Sequence, residues 1–260
     1  YWQSSPFFSC IFPDISGSML DQNERRRLAA LLARPLSIGG KCISSRLVLA
    51  PLAGLNHQAM REQIGVDSGA GLLFTGMLSA KAVPTEKPEK SNAFSWNEAE
   101  LPILVGQLFG TCPKDLAMAA RRLEQEGFFG VDINMGCSVS AIVKKGAGAG
   151  LLRNPDMARR MVEAVRDAVS FPVMVKMRSG WQDDPNALEN TIKLAQDFEA
   201  LGVDAITFHP RLAPDRRTRP PVAAEIREVK RSLKIPVFGN GNVCTAGDAL
   251  KMLDDTGCAG

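Results

Sequence analysis

Metal-ligating side chains are scarce in this sequence. Its two histidines, His57 and His209, stand far apart, and its six cysteines (Cys10, Cys42, Cys112, Cys137, Cys244, Cys258) form no C-x-x-C pair. That spacing argues against a zinc or iron–sulfur site, so no metal is expected; it also argues against a disulfide framework and fits a reducing cytoplasm. Long apolar runs are missing too. No stretch approaches the ~20 residues that span a bilayer, and residues 1–18 lack the basic start and clean apolar core of a signal peptide. Strong charge of one sign is absent as well: a net charge of +3 does not mark a nucleic-acid binder, so basic surface has to be found locally.

What is present is ordinary for a globular protein, with 45% hydrophobic and 23% charged residues in a chain of 260. The chain opens at Tyr1, and Met19 leads into the polar helical start Asp21-Gln22-Asn23-Glu24-Arg25. Residues 1–18 are therefore expected to be a non-native or disordered leader, and residues 19–260 the domain.

From there, short apolar runs alternate with amphipathic stretches. The runs are Leu47 to Ala50, Gly71 to Thr75, Ile103 to Leu108, Gly130 to Ile133, Val173 to Met177, Ala205 to His209 and Val237 to Asn240. Each is almost continuously apolar, as strands covered on both faces should be. Helices are predicted over Pro113 to Glu126, Pro155 to Ser170 after the cap Asn154, Asn186 to Leu201, Val222 to Leu233, and Ala246 to Thr256 after the cap Thr245. Gly127, Gly202 and Gly257 stand as stops. The alternation predicts an α/β fold of repeated βα units, a (β/α)8 TIM barrel incomplete at the eighth strand, whose first step is Cys258-Ala259-Gly260. A doubly wound sheet is the rival, but Pro51-Leu52-Ala53-Gly54 is not its Gly-rich nucleotide turn.

The stretch Val131-Asp132-Ile133-Asn134-Met135-Gly136-Cys137 runs from a buried strand into a polar, glycine-broken turn that ends in a thiol. A lone cysteine is more often a small apolar filler, yet Gly136 before it and Ser138-Val139-Ser140 after it make a poor core. In a parallel α/β fold the carboxyl ends of the strands carry the reacting loops, so Asn134 and Cys137 should face one cavity. The other strand ends bring Gln107, Lys176 with Arg178, His209 with Arg211, and Gly239-Asn240-Gly241-Asn242 to the same mouth.

These segments, with Gln107-Leu108-Phe109-Gly110, Gly146-Ala147-Gly148-Ala149, and Val175-Lys176-Met177-Arg178 before Gly180-Trp181, resemble in order and spacing the tRNA-dihydrouridine synthase family. The resemblance runs from about Leu47 to Gly260 and implies an FMN enzyme on a (β/α)8 barrel. A helical tRNA-binding domain follows the barrel in full-length members and is expected to be absent here, as is the strand-eight Gly-Arg segment that helps hold the FMN phosphate.

By that similarity, Pro51, Leu52 and Ala53 line the back of the flavin, and Gln107 and Lys176 bond its polar edge. His209 lies by flavin and substrate, while Asn240 and Gly241 contact the ribityl phosphate. Asn134, Arg178 and Arg211 fall on the substrate side. The implied reaction reduces the C5=C6 bond of specific uridines in tRNA, with NADPH or NADH as reductant, hydride going to C6 and a proton from Cys137 to C5. A thiol, with a reference pKa of ~8.5, carries its proton at neutral pH and can act as a general acid. The target base has to be flipped out of the folded tRNA into the barrel mouth.

A basic rim from His209 to Arg219, including Arg211, Arg216, Arg217 and Arg219, joins Lys144 and Lys145 as candidate phosphate contacts; the competing reading is a solvated loop whose arginines pair with Asp215 and Glu225. The chain departs from the family pattern at Ser138 (mostly Pro), Ala141 (commonly Lys), Gly76 (commonly Glu) and Pro210 (commonly Gly). Two other functions fit parts of the pattern. Another FMN barrel acting on a small molecule would not need the basic rim, and a non-catalytic RNA-binding descendant would have lost Cys137 or the flavin contacts. The expectation is a monomeric, cytoplasmic, tRNA-binding flavoprotein.

Overall fold

The computed structural model describes residues 20–181, 186–215 and 219–260, and it omits the side chains of Val66, Asp67 and Ser68. The expected leader, residues 1–18, and the rim residues Arg216 and Arg217 lie outside the described residues.

Helix α1 (Gln22–Leu32) starts at Asp21, whose side chain accepts from the N–H groups of Asn23 and Glu24. A hairpin follows, β1 (Leu36–Ile38) antiparallel to β2 (Lys41–Ile43). The remaining strands are β3 (Val48–Leu49), β4 (Leu72–Ser79), β5 (Leu104–Phe109), β6 (Gly130–Met135), β7 (Val173–Arg178), β8 (Ala205–His209) and β9 (Val237–Gly239). They form one parallel sheet in chain order, β3-β4-β5-β6-β7-β8-β9. Between them run α2 (Gln58–Ser68), α3 (Pro113–Gln125), α4 (Ser140–Val143), α5 (Pro155–Arg166), α6 (Ala187–Ala200), α7 (Ala223–Ser232) and, after β9, α8 (Ala246–Thr256).

Side chains alternate along each strand, and here both sides are covered. Val173 and Val175 point to the outer core, which packs the sheet on α3, α5, α6 and α7 through Leu116, Leu123, Met161, Val162, Phe198 and Ile226. Met174 points to an inner cluster with Phe74, Val105, Phe129, Ala205 and Phe238, which Ile38 and Ile43 of the hairpin plug from below. The sheet is thus curled into seven-eighths of a (β/α)8 barrel with an apolar floor. Burying each such side chain contributes about 1.5–3 kcal/mol, and truncating Phe198, which is 0% exposed, to alanine is expected to cost about 3–5 kcal/mol.

All seven strands and the five helices expected from the sequence are present, and Asn154 and Thr245 cap their helices through Met157 N–H and Asp248 N–H. Cys258 to Gly260 run beside β9, Ala259 N–H donating to Val237 O at 2.7 Å and Gly239 N–H to Gly260 O at 3.0 Å, in the place of an eighth strand. Between β9 and β3 lies a cavity of about 290 Å³ lined by Leu47, Val48, Phe74, Phe238, Val243 and Leu253.

Three differences have physical causes. Helix α5 stops at Arg166 rather than Ser170, because the Arg166 guanidinium donates to the carbonyls of Val169 and Phe171 at 2.7 and 3.0 Å and turns the chain. Strand β4 continues to Ser79, past the predicted end at Thr75, through a register shift between Phe74 and Met77 that absorbs Gly76. Helix α2 and the β1–β2 hairpin were not expected. Among the described residues no helix is long and apolar enough to cross a membrane.

Candidate active site

The alternation that sends Met174 to the barrel floor sends the next inward residue of β7, Lys176, one layer higher. Register then sets its neighbours: Asn134 on β6 and Thr207 on β8 pair with Lys176, and Gln107 on β5 pairs with Asp132. The upper inner layer is therefore polar where the floor is apolar, and it opens at the carboxyl ends of the strands.

Five polar side chains here are linked in two sets, with Gln107 and Asp132 one register step below Asn134 and Lys176. Gln107 Nε2 donates to Asp132 Oδ2 at 2.6 Å, and Asn134 Nδ2 donates to Gln107 Oε1 at 2.8 Å. Lys176 Nζ donates to Asn240 Oδ1 at 2.8 Å. The Gln107 amide thus spends one end on each of two neighbours within β6, keeping one N–H and one lone pair in reserve.

Cys137 follows in the turn after β6. Asn134 Oδ1 accepts from the backbone N–H groups of Gly136 and Cys137 at 3.2 and 3.0 Å, an Asx turn that fixes the thiol-bearing residue to the strand end. From the other side Arg178 Nε donates to Gly136 O at 2.8 Å and its Nη1 to Leu212 O at 3.2 Å. Arg178, expected from the sequence on the substrate side, braces the Cys137 turn against the loop after β8. Cys137 itself is partly exposed and in no disulfide.

Electrostatics follow from burial. The Asp132 carboxyl, sealed at 0% exposure, is pushed up to about 7 by loss of water, against the opposing pull of the Gln107 hydrogen bond and the Lys176 charge. Lys176 is lowered to about 8, again chiefly by burial, with Asp132 raising it and Arg178 lowering it further. His209 is lowered to about 3 by burial and by the nearby Lys176, Arg178 and Arg211, so at neutral pH it is an uncharged imidazole. Its Nε2 is buried with no hydrogen-bond partner among the described residues. Gly241, at φ 127°, passes so close that a Cβ there would lie 2.9 Å from His209 Cδ2.

At the end of β3, Pro51 is half-buried and Leu52 and Ala53 are exposed at the rim. Their loop is held by buried Asn56, whose Nδ2 donates to Ala50 O and Phe74 O at 2.9 and 2.8 Å. Arg61 in turn holds Asn56 O at 2.6 Å and pairs with Glu100 at 2.7 Å in a buried salt bridge. Beside this loop a groove of about 640 Å³ passes His57, Gln58, Gly76, Met77 and Asn92. A side chain at position 76 would have room, its Cβ meeting nothing nearer than Leu52 O at 3.5 Å, so Gly76 leaves that groove wider.

On the rim, Lys144 and Lys145 are exposed at the end of α4. Arg211 donates to Asn242 Oδ1 at 3.0 Å, and Arg219 pairs with Asp215 at 3.1 Å. Glu225 instead accepts from Ser179 Oγ. Of the residues singled out in the sequence, Gln107, Asn134, Cys137, Lys176, His209, Asn240 and Gly241 are thus brought to one mouth, while Lys144, Lys145 and Arg219 stand around it. Asp132 and the Asn56–Arg61–Glu100 brace were not singled out. The signal for Asp132 was an acid between Val131 and Ile133 in an otherwise apolar strand. No group of His, Cys, Asp and Glu among the described residues could hold a metal ion.

Residues 48–260 match the family model described as dihydrouridine synthase. The chain is 33% identical over 243 residues to the probable tRNA-dihydrouridine synthase 1 of Synechocystis, covering 94% of this chain and 66% of that protein. It is 34% identical over 222 residues to tRNA-dihydrouridine synthase B of Proteus vulgaris, covering 85% and 67%. The chain thus spans about two thirds of the length of these relatives. Among solved structures, a 2-naphthoyl-CoA reductase complex aligns with a TM-score of 0.61 at 14% identity, over 88% of this chain and 49% of that one. The old yellow enzyme from Trypanosoma cruzi aligns with a TM-score of 0.59 at 13% identity, over 87% and 86%. At such identities these two speak for the barrel fold alone.

Proposed function

Because the chain belongs to the dihydrouridine synthase family, we propose that it reduces the C5=C6 bond of uridines in tRNA, with FMN as cofactor and NADPH or NADH as reductant. The observation that carries this reading is the Cys137 thiol, tied by Asn134 to the rim of a mouth that also presents Lys176 and His209.

The residues present fit a flavin. A planar ring system edged with acceptors and one N–H suits a layer that offers the Lys176 ammonium, the spare Gln107 N–H and the unpartnered His209 Nε2. Pro51, Leu52 and Ala53 give it an apolar back wall, and Asn240 with Gly241 give polar backbone at the far end. Bound there, the flavin would take hydride from the nicotinamide and supply it to uridine C6.

The chain's own residues do the rest. Lys176 places a cation where negative charge gathers on reduction, in a site dry enough for that charge pair to count. Neutral His209 offers hydrogen bonding without adding positive charge. Cys137 holds a proton on Sγ, and its transfer to uridine C5 completes the addition across the double bond. Arg178 and Asn134 keep that sulfur from drifting. Lys144, Lys145, Arg211 and Arg219 give the rim a positive field for the phosphates of a flipped nucleotide's flanks. Such a protein works in the cytoplasm, where its RNA is.

The test is to purify the protein, record its flavin absorbance, and measure dihydrouridine in tRNA after incubation with NADPH. A flavin spectrum with dihydrouridine formation is expected. A protein that neither carries FMN nor takes it up contradicts the reading.

A further inference from the structure

Gln107 and Asn134 are amides, and an amide without directional partners can turn over and exchange its donor and acceptor ends. Here a fixed acceptor stands at the start of the chain. Asp132 Oδ2 takes the N–H of Gln107 Nε2 at 2.6 Å, which turns Gln107 Oε1 toward Asn134 Nδ2 at 2.8 Å. Asn134 Oδ1 is then left for the backbone N–H groups of Gly136 and Cys137, at 3.2 and 3.0 Å. With either amide reversed, an NH2 group would face an N–H donor. Asp132 itself is 0% exposed, and its second oxygen has no hydrogen-bond partner among the described residues.

We infer that Asp132 is a positioning residue for Cys137: its carboxyl oxygen sets the orientation of two successive amides, and through them holds the backbone of the acid-bearing residue two layers above it. An oxygen acceptor is all this role requires, since a carboxyl group keeps one in both its ionised and protonated forms. The competing role is purely electrostatic, a negative charge opposite Lys176. The two separate cleanly. Asp132→Asn loses the charge and keeps an acceptor oxygen, whereas Asp132→Leu loses both.

The inference rests on the reading of Cys137 as the proton donor, but its test reads thiol reactivity and not tRNA reduction, so either can fail without the other. Alkylation of the purified protein by iodoacetamide, resolved cysteine by cysteine by mass spectrometry, measures Cys137 against the exposed Cys42 and Cys244 in the same sample, with buried Cys258 as the check on folding. Freed from its tether in Asp132→Leu, Cys137 should react about fivefold faster, the scale of one hydrogen bond released, with the other cysteines unchanged. Asp132→Asn should stay within about twofold of wild type. Gln107→Met, which breaks the second link at nearly constant volume, should match Asp132→Leu, and the double variant should add nothing further. If Asp132→Leu exposes Cys258, Gln107→Met decides. An unchanged Cys137 rate in the folded variants, or equal rates in Asp132→Asn and Asp132→Leu, overturns the inference.

Discussion

Asn134 Oδ1 accepts the backbone N–H of Cys137 at 3.0 Å, so the last polar residue pointing inward from β6 also fixes the first reactive group beyond it. Asn134→Ala would leave the thiol in place but unanchored. Dihydrouridine formation should fall about ten- to hundredfold, the cost of a reacting group displaced by roughly an ångström. NADPH-driven bleaching of the flavin should be unchanged, and equal losses in both half-reactions would show that Asn134 acts elsewhere.

Lys176 is held at about 8 by burial, so its ammonium is lost just above neutral pH. FMN affinity, measured by fluorescence titration, should decline as pH rises through about 8. Lys176→Met should bind FMN more weakly at pH 7 and show no such decline. A pH-independent affinity in the wild type would remove Lys176 from the flavin's edge.

Two buried groups should tilt stability in opposite directions. Asp132 has a folded value of about 7 against the usual 3.8, so between those values the folded state holds the extra proton and stability falls as pH rises. His209 has a folded value of about 3 against 6.5; the unfolded state holds the extra proton there, and stability rises with pH. Wild type should be nearly level between about pH 4 and pH 6.5 as the two offset. Asp132→Asn should leave a rising Tm across that range and His209→Gln a falling one. Slopes of the same sign in the two variants would contradict the assigned shifts.

Gly241 combines φ 127° with a Cβ position 2.9 Å from His209 Cδ2. Gly241→Ala should therefore cost about 1–3 kcal/mol in backbone strain and displaced imidazole, seen as a lower Tm, and should weaken FMN binding. An unaltered Tm would mean that the loop after β9 moves aside freely.

The fold was legible where burial on both faces writes a continuous apolar run, as in Val173 to Met177, and where a cap such as Asn154 or Thr245 precedes an amphipathic stretch. It was not legible in the β1–β2 hairpin, whose strands are three residues each, nor in α2, where Gly65 and Asp67 dilute the helical pattern. Cys137, Lys176 and His209 could be picked out because polar residues at strand ends share one mouth in any parallel barrel. What a side chain does there depends on where its far end lands. Arg178 falls on the substrate side by resemblance, and that its guanidinium also lies on Gly136 O and Leu212 O is set only by the fold. Asp132 passed as a strand residue because its partner, Gln107, comes from another strand. The pairing of Arg61 with Glu100, 39 residues apart, is likewise set only by the fold.

The central claim is that Cys137 delivers the proton to a uridine reduced by hydride from flavin, and Cys137→Ala tests it most directly. With the variant loaded with FMN and reduced by NADPH, single-turnover formation of dihydrouridine in tRNA should be about 10²- to 10⁴-fold slower than in wild type, the range for loss of a general acid. Flavin content and the rate of flavin reduction should be the same as in wild type. Dihydrouridine formation at the wild-type rate would contradict the account.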